Sequence, residues 1–91
     1  MDTGLSFRVT GRVQGVGFRA FVQRTGQQLG LTGWVKNNID GSVSGIAEGD
    51  QGLLVEFIKA VKIGNRWSSV EGCEELVQKF TGEFQGFGIR R

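Results

Sequence analysis

Residues 5–22, Leu5-Ser6-Phe7-Arg8-Val9-Thr10-Gly11-Arg12-Val13-Gln14-Gly15-Val16-Gly17-Phe18-Arg19-Ala20-Phe21-Val22, change their hydrophobic period partway along. Leu5, Phe7 and Val9 alternate with Ser6, Arg8 and Thr10, the period of a half-buried strand. From Phe18 the spacing lengthens. Phe18, Phe21, Val22, Thr25 and Leu29 fall on one face of a helix. Gly11, Gly15 and Gly17 punctuate the loop between. Gly26 inside that helix costs about 1 kcal/mol relative to alanine, and Gly30 sits where a left-handed C-terminal residue belongs.

Further along, Thr32 to Asn37 and Ser42 to Glu48 read as strands. They are joined through Asn38-Ile39-Asp40-Gly41, which ends in an Asp-Gly turn signal. Asp50 is placed to cap a second helix, whose apolar face is Leu54, Phe57, Ile58 and Val61 and which Gly64 closes. Trp67 to Cys73 and Phe84 to Ile89 read as further strands, with Phe87 and Ile89 on one side. Residues 71–80 are ambiguous, because Cys73, Leu76, Val77 and Phe80 also fit helical spacing; the reading adopted is strand followed by loop. The fold expected is therefore α+β, a ferredoxin-like two-layer α/β sandwich. Its order is βαββαβ with an extra C-terminal strand, and its antiparallel sheet is covered by two helices on one face. Residues 1–91 are expected to form a single domain, since domains usually run to about 100–150 residues.

Composition removes several chemistries. With 38% hydrophobic and 22% charged residues the chain can build a modest core. No apolar run approaches the roughly 20 residues that span a bilayer. The N-terminal MDTGLSFRVT lacks a signal peptide's apolar stretch, so a cytoplasmic location is expected. One cysteine, Cys73, excludes an internal disulfide framework, and no basic partner is evident that would activate it as a nucleophile. The absence of histidine rules out His-ligated zinc, Ser-His-Asp and Cys-His catalysis. Glu71, Glu74 and Glu75 lack metal-loop spacing and read as solvated charge.

Residues 1–40 carry five basic and two acidic side chains, net +3, whereas residues 41–91 carry six and seven, net −1. A basic half suits a small anion and is thin for duplex nucleic acid. Trp34, Trp67 and the seven phenylalanines could stack bases, but no RNP1-type pattern accompanies them, and they are assigned to the core.

The loop Gly11 to Arg19 joins the first strand to the first helix. A glycine turn there can point successive N–H groups into one concavity beside the positive end of the helix, a setting that binds phosphate or carboxylate. Arg19, on the first helical turn, could lay a guanidinium over two oxygens of the same anion. No Gly-Lys-Ser/Thr ending follows, and Gly11-x-x-x-Gly15-x-Gly17 does not fit the dinucleotide fingerprint. The alternative is a tight glycine turn carrying a surface arginine. In the second strand, Asn37 and Asn38 could likewise serve only the turn. Because that strand follows the first helix directly, however, Asn37 could lie beside the anion loop and hold a water molecule.

At these residues the chain resembles the acylphosphatase family. VTGRVQGVGFR fits the family's first signature and GWVKNNIDGSVSGIAEG its second, with Gly41, Val43 and Gly49 at their spacings and LGLTGW between the two. The likeness is strong over about residues 5–63. Beyond them Ile63-Gly64-Asn65-Arg66-Trp67 replaces the family's proline-containing loop, and Arg90-Arg91 stands where a tyrosine is common. Gly26 occupies a position where the family often has alanine. The resemblance implies that Arg19 is the phosphate-binding catalytic arginine and that Asn37 positions the attacking water. It also implies that the backbone amides of Gly15, Val16, Gly17, Phe18 and Arg19 cradle the phosphate.

The expected reaction is hydrolysis of a carboxylic–phosphoric anhydride to carboxylate and inorganic phosphate, without metal or other cofactor. The expected partner is a small-molecule acyl phosphate, competed by inorganic phosphate. Neither nucleic acid nor membrane is expected, and the protein is expected to be a monomer. Two alternatives share the fold: a non-catalytic anion- or partner-binding module, and a free-standing relative of the N-terminal domain of hydrogenase-maturation carbamoyltransferases.

Overall fold

A computed structural model describes residues 1–91. The chain runs β1 (Asp2–Arg12), α1 (Phe18–Gln28), β2 (Thr32–Asn37), β3 (Val43–Asp50), α2 (Gln51–Ile63), β4 (Ser69–Gln78) and β5 (Phe87–Arg90). The strands form one sheet in the order β4-β1-β3-β2-β5. Strand β1 pairs antiparallel with β3, Val9 opposite Val43 and Leu5 opposite Ala47, and on its other side antiparallel with β4.

Alternation in β1 sends Leu5, Phe7 and Val9 into the core, where they meet Val35, Val43 and Ala47 of the central strands and the helix residues Phe18, Val22, Leu54, Phe57, Ile58 and Val61. The ring of Phe57 on α2 stands edge-on to Phe7 at 5.5 Å and lies 5.7 Å from Phe87 of β5. Fully burying each such side chain stabilises the fold by about 1.5–3 kcal/mol. Helix α1 packs on β2 and β5, and α2 on β1, β3 and β4. Asp50 caps α2 as expected, its carboxylate accepting from the Leu53 N–H at 3.2 Å.

Gly26 has a packing reason. It is buried, and a Cβ placed on it would collide with the ring of Phe87, so its lack of a side chain lets β5 close against α1.

Three expectations need correction. The sheet is mixed, because β5 runs parallel to β2, with Gly33 opposite Phe87 and Lys36 opposite Arg90. The cause is the route of the chain. β4 and β5 occupy opposite edges, and residues 79–86 cross between them at the end of the sheet where β2 begins. Strand β4 continues to Gln78 through the ambiguous stretch, and β5 starts only at Phe87. Periodicity fails in β4 because it is an edge strand whose Leu76 and Val77 are 64% and 72% exposed; pairing with β1 makes it a strand. Nor are both tryptophans and all seven phenylalanines core: Phe80 is 40% exposed. Trp67 is exposed, and Trp34 lies half-buried with the Arg90 guanidinium 4.5 Å and the Lys36 ammonium 5.8 Å from its ring.

Candidate functional site

One end of the sheet gathers the C-terminal ends of β1 and β2, the N-terminal ends of β3 and β4, the start of α1 and the close of α2. The register of β1 against β4 shifts between Thr10 and Gly11, just before the chain leaves the sheet. Such a bulge sharpens the local twist and re-aims the strand that follows. Val13 then anchors the loop in the core at 1% exposure.

Gly15 and Gly17 both take φ of 72°, the left-handed region. A side chain there would be strained, by roughly 1–2 kcal/mol per residue. Gly17 is the N-cap of α1 and supplies no side-chain cap. The first bond of the helix runs from the Phe21 N–H to the Gly17 carbonyl at 3.0 Å, and no bond of the loops and turns is donated by the N–H groups of Gly15, Val16, Gly17, Phe18 or Arg19. A helix N-terminus leaves such donors for a ligand or water and carries partial positive charge.

The loop is stitched to the turn between β2 and β3. Gln14 donates through Nε2 to the carbonyls of Asn38 at 2.7 Å and Ser42 at 2.9 Å. This carboxamide ties the glycine loop to the strand end that carries Asn37, and only its position within the first signature marked it in the sequence.

The two adjacent asparagines divide. Asn38 donates through Nδ2 to the hydroxyls of Ser42 at 2.9 Å and Ser44 at 3.1 Å, and its backbone closes the turn with Ser42. Asp40 accepts from the Ser42 N–H at 3.0 Å and the Ser42 hydroxyl at 2.6 Å. Those bonds, helped by the Arg8 guanidinium, hold the Asp40 carboxyl well below the usual carboxylate range. Asn37, by contrast, has a buried Oδ1 that accepts nothing. The turn is complete without it.

Arg19, the second residue of α1, is half-buried and forms no ion pair. Of the seven arginines only Arg8 is ion-paired, to Asp40 at 2.6 Å and Glu74 at 3.0 Å; the other unpaired ones are exposed, so half-burial without a partner is what sets Arg19 apart. A guanidinium held partly out of water with no carboxylate beside it is ready for an incoming anion. No cluster of three His, Cys, Asp or Glu side chains is present to hold a metal ion. The surface cavities lie elsewhere; the apolar one, about 110 Å³, sits between α2 and the β1–β4 edge, lined by Leu5, Leu54, Val55, Ile58 and Val77. Cys73 is half-buried, its thiol pushed up by burial, which leaves it a poor nucleophile.

Sequence reasoning also passed over Asn65, in the turn after α2. Its Nδ2 donates to the Val16 carbonyl at 2.8 Å.

A family model described as Acylphosphatase matches residues 5–89. The chain is 45% identical over 95 residues to an acylphosphatase of Salinibacter ruber, with the whole of both chains covered. Its structure superposes on the crystal structure of acylphosphatase from Bacillus subtilis with a TM-score of 0.94, at 40% identity and 100% coverage of each chain. Full-length HypF, in a phosphate- and nucleotide-bound form, contains a similar unit at 27% identity and a TM-score of 0.90, covering 12% of that chain.

Proposed function

The chain belongs to the acylphosphatase family, enzymes that hydrolyse the carboxyl–phosphate bond of acyl phosphates, and on that premise we propose that Arg19 and Asn37 carry the reaction between them. Arg19 and the amides of Gly15, Val16, Gly17, Phe18 and Arg19 bind the phosphoryl oxygens. Asn37 positions the attacking water with its side-chain amide, so that a water lone pair faces phosphorus opposite the leaving carboxylate. The observation that carries this reading is the Asn37 carboxamide, left out of the turn's hydrogen bonds on a strand end stitched to the glycine loop.

The chemistry explains why so few groups are enough. The leaving group is a carboxylate whose acid has a pKa of about 4, so it departs without protonation by the enzyme. A phosphoryl oxygen of the substrate takes the water's proton. What remains for the protein is positioning and charge stabilisation, the main contributions to phosphoryl transfer. A chain without histidine can supply both.

Stand-alone acylphosphatases match at higher identity than HypF, 45% and 40% against 27%, which favours a stand-alone hydrolase over a relative of the HypF unit. The working form is a single-domain monomer in the cytoplasm, with neither nucleic acid nor membrane as partner.

The test is hydrolysis of benzoyl phosphate. The wild-type protein should turn it over, inorganic phosphate should compete with it, and EDTA should leave the rate unchanged. Arg19→Gln and Asn37→Ala should each abolish nearly all turnover while the circular dichroism spectrum stays native. Wild-type turnover in both variants would refute the assignment.

A further inference from the structure

We infer that Asn65 is a positioning residue for the phosphate loop, holding the Val16–Gly17 peptide so that the Gly17 N–H faces the bound phosphoryl group. The inference rests on the proposed role of residues 15–19 as the cradle. Asn65 follows α2 in a turn that fixes its backbone firmly. Its N–H donates to the Ser68 Oγ at 2.9 Å, while the Ser68 hydroxyl and N–H donate back to the Asn65 carbonyl at 3.0 and 3.2 Å. From this turn the side chain reaches 49 residues back along the sequence to the Val16 carbonyl.

The consequence follows from peptide geometry. The carbonyl of Val16 and the N–H of Gly17 belong to one planar trans unit and point in opposite directions. Holding the carbonyl toward Asn65 therefore holds the Gly17 N–H away from it, on the other face of the loop. Gly17 needs this support more than most residues. At φ 72° and ψ 17° it is the left-handed N-cap of α1, glycine gives the backbone other conformations to visit, and no side chain caps it.

The bond partners also fix which way the carboxamide lies. Val16 offers only an acceptor, so Nδ2 must face it, and Oδ1 is left buried without a partner. An asparagine serving stability alone would gain little from one bond made while a buried acceptor stays empty. Steering the loop accounts for an amide used on one side only.

Two variants separate the possibilities. Asn65→Ala removes the donor. Asn65→Asp keeps the shape but presents an anionic acceptor to the Val16 carbonyl at neutral pH. Inorganic phosphate is titrated into each protein while the amide resonances of residues 15–19 are followed by NMR, and its inhibition constant against benzoyl phosphate is measured.

In the wild type the Gly17 amide should move on phosphate binding. In Asn65→Ala that response should shrink and the phosphate constant should weaken about tenfold, the scale of one charge-assisted hydrogen bond. In Asn65→Asp the weakening relative to wild type should fade as pH falls through the carboxyl range near 4, because the protonated carboxyl donates again. A merely structural role would lower the melting temperature without this pH-dependent recovery. Phosphate constants within twofold of wild type in both variants, with an undiminished Gly17 response, would overturn the inference alone. Wild-type amides at 15–19 that ignore phosphate would overturn the cradle, and this inference with it.

Discussion

The two ends of the sheet are finished differently. At the end where β3 finishes and residues 79–86 cross over, polar groups are matched. Glu48, 2% exposed, accepts from the Thr81 N–H at 3.0 Å, the Thr81 hydroxyl at 2.8 Å and the Gly82 N–H at 3.0 Å. The Gly33 N–H meets the Gly86 carbonyl at 2.9 Å, and Asp50 caps α2. At the opposite end Arg19 has no carboxylate, and the amides of residues 15–19 donate to nothing in the loops and turns. The two unpartnered buried side-chain atoms of the chain, Asn37 Oδ1 and Asn65 Oδ1, also lie there. An unsatisfied buried polar group costs about 1–3 kcal/mol. One end thus secures the fold, and the other keeps open hydrogen-bonding capacity that a folded chain would ordinarily use up.

The contrast breaks most sharply at the open end. Arg19→Gln should lower kcat for benzoyl phosphate by about 10²–10³, the loss typical of removing one donor aimed at developing charge, and Asn37→Ala, which leaves the attacking water unpositioned, by about 10². Asn37→Ala also removes an orphaned acceptor, so its melting temperature should hold or rise while activity falls. Equal losses of activity and stability there would undo the comparison.

At the matched end the signs reverse. Glu48→Ala leaves the N–H groups of Thr81 and Gly82 without their acceptor and should cost about 2–4 kcal/mol in urea unfolding. Turnover per folded molecule should stay within about twofold of wild type, since no part of the proposed site is touched. Gly26→Ala tests the closure of β5 against α1. Better helix propensity contributes about 1 kcal/mol, but forcing a methyl against the Phe87 ring costs more, for a net loss of about 1–2 kcal/mol by the same measurement.

The smallest effect belongs to the β2–β3 turn. The Asp40 carboxyl is held low by the hydroxyl and N–H of Ser42 and by Arg8. A carboxyl whose folded value is depressed contributes stability above its ordinary pKa of about 4, and the contribution is lost as pH falls toward the lower folded value. Asp40→Asn should therefore give a shallower fall in melting temperature between about pH 4 and 2 than the wild type shows.

Much of the scaffold was legible because it rests on local rules. The change of period between Val9 and Phe18, the apolar face of α2 and the cap at Asp50 each depend on residues within a few positions of one another. Strand β4 escaped the same reading at its far end, since its partner, β1, lies more than sixty residues away and its outer residues stay wet. Gly26 looked like a flaw in a helix until Phe87 arrived from the last strand. At the site, the signatures pointed to Arg19 and Asn37, but nothing in the run Asn37-Asn38 distinguishes its two members. Apart from the family signature, hydrogen bonding separates them, by engaging the second amide with Ser42 and Ser44 and sparing the first.

By itself the sequence determined the elements, their order through α2, the family, and the absence of any imidazole for catalysis. Tertiary structure decided the parallel pairing of β5, the purpose of Gly26, which asparagine is left free, and the reach of Asn65 to the Val16 carbonyl. The division follows sequence distance. Periodicity and capping act over a few residues, whereas the use or sparing of a polar atom is settled by partners that only folding brings within hydrogen-bond reach.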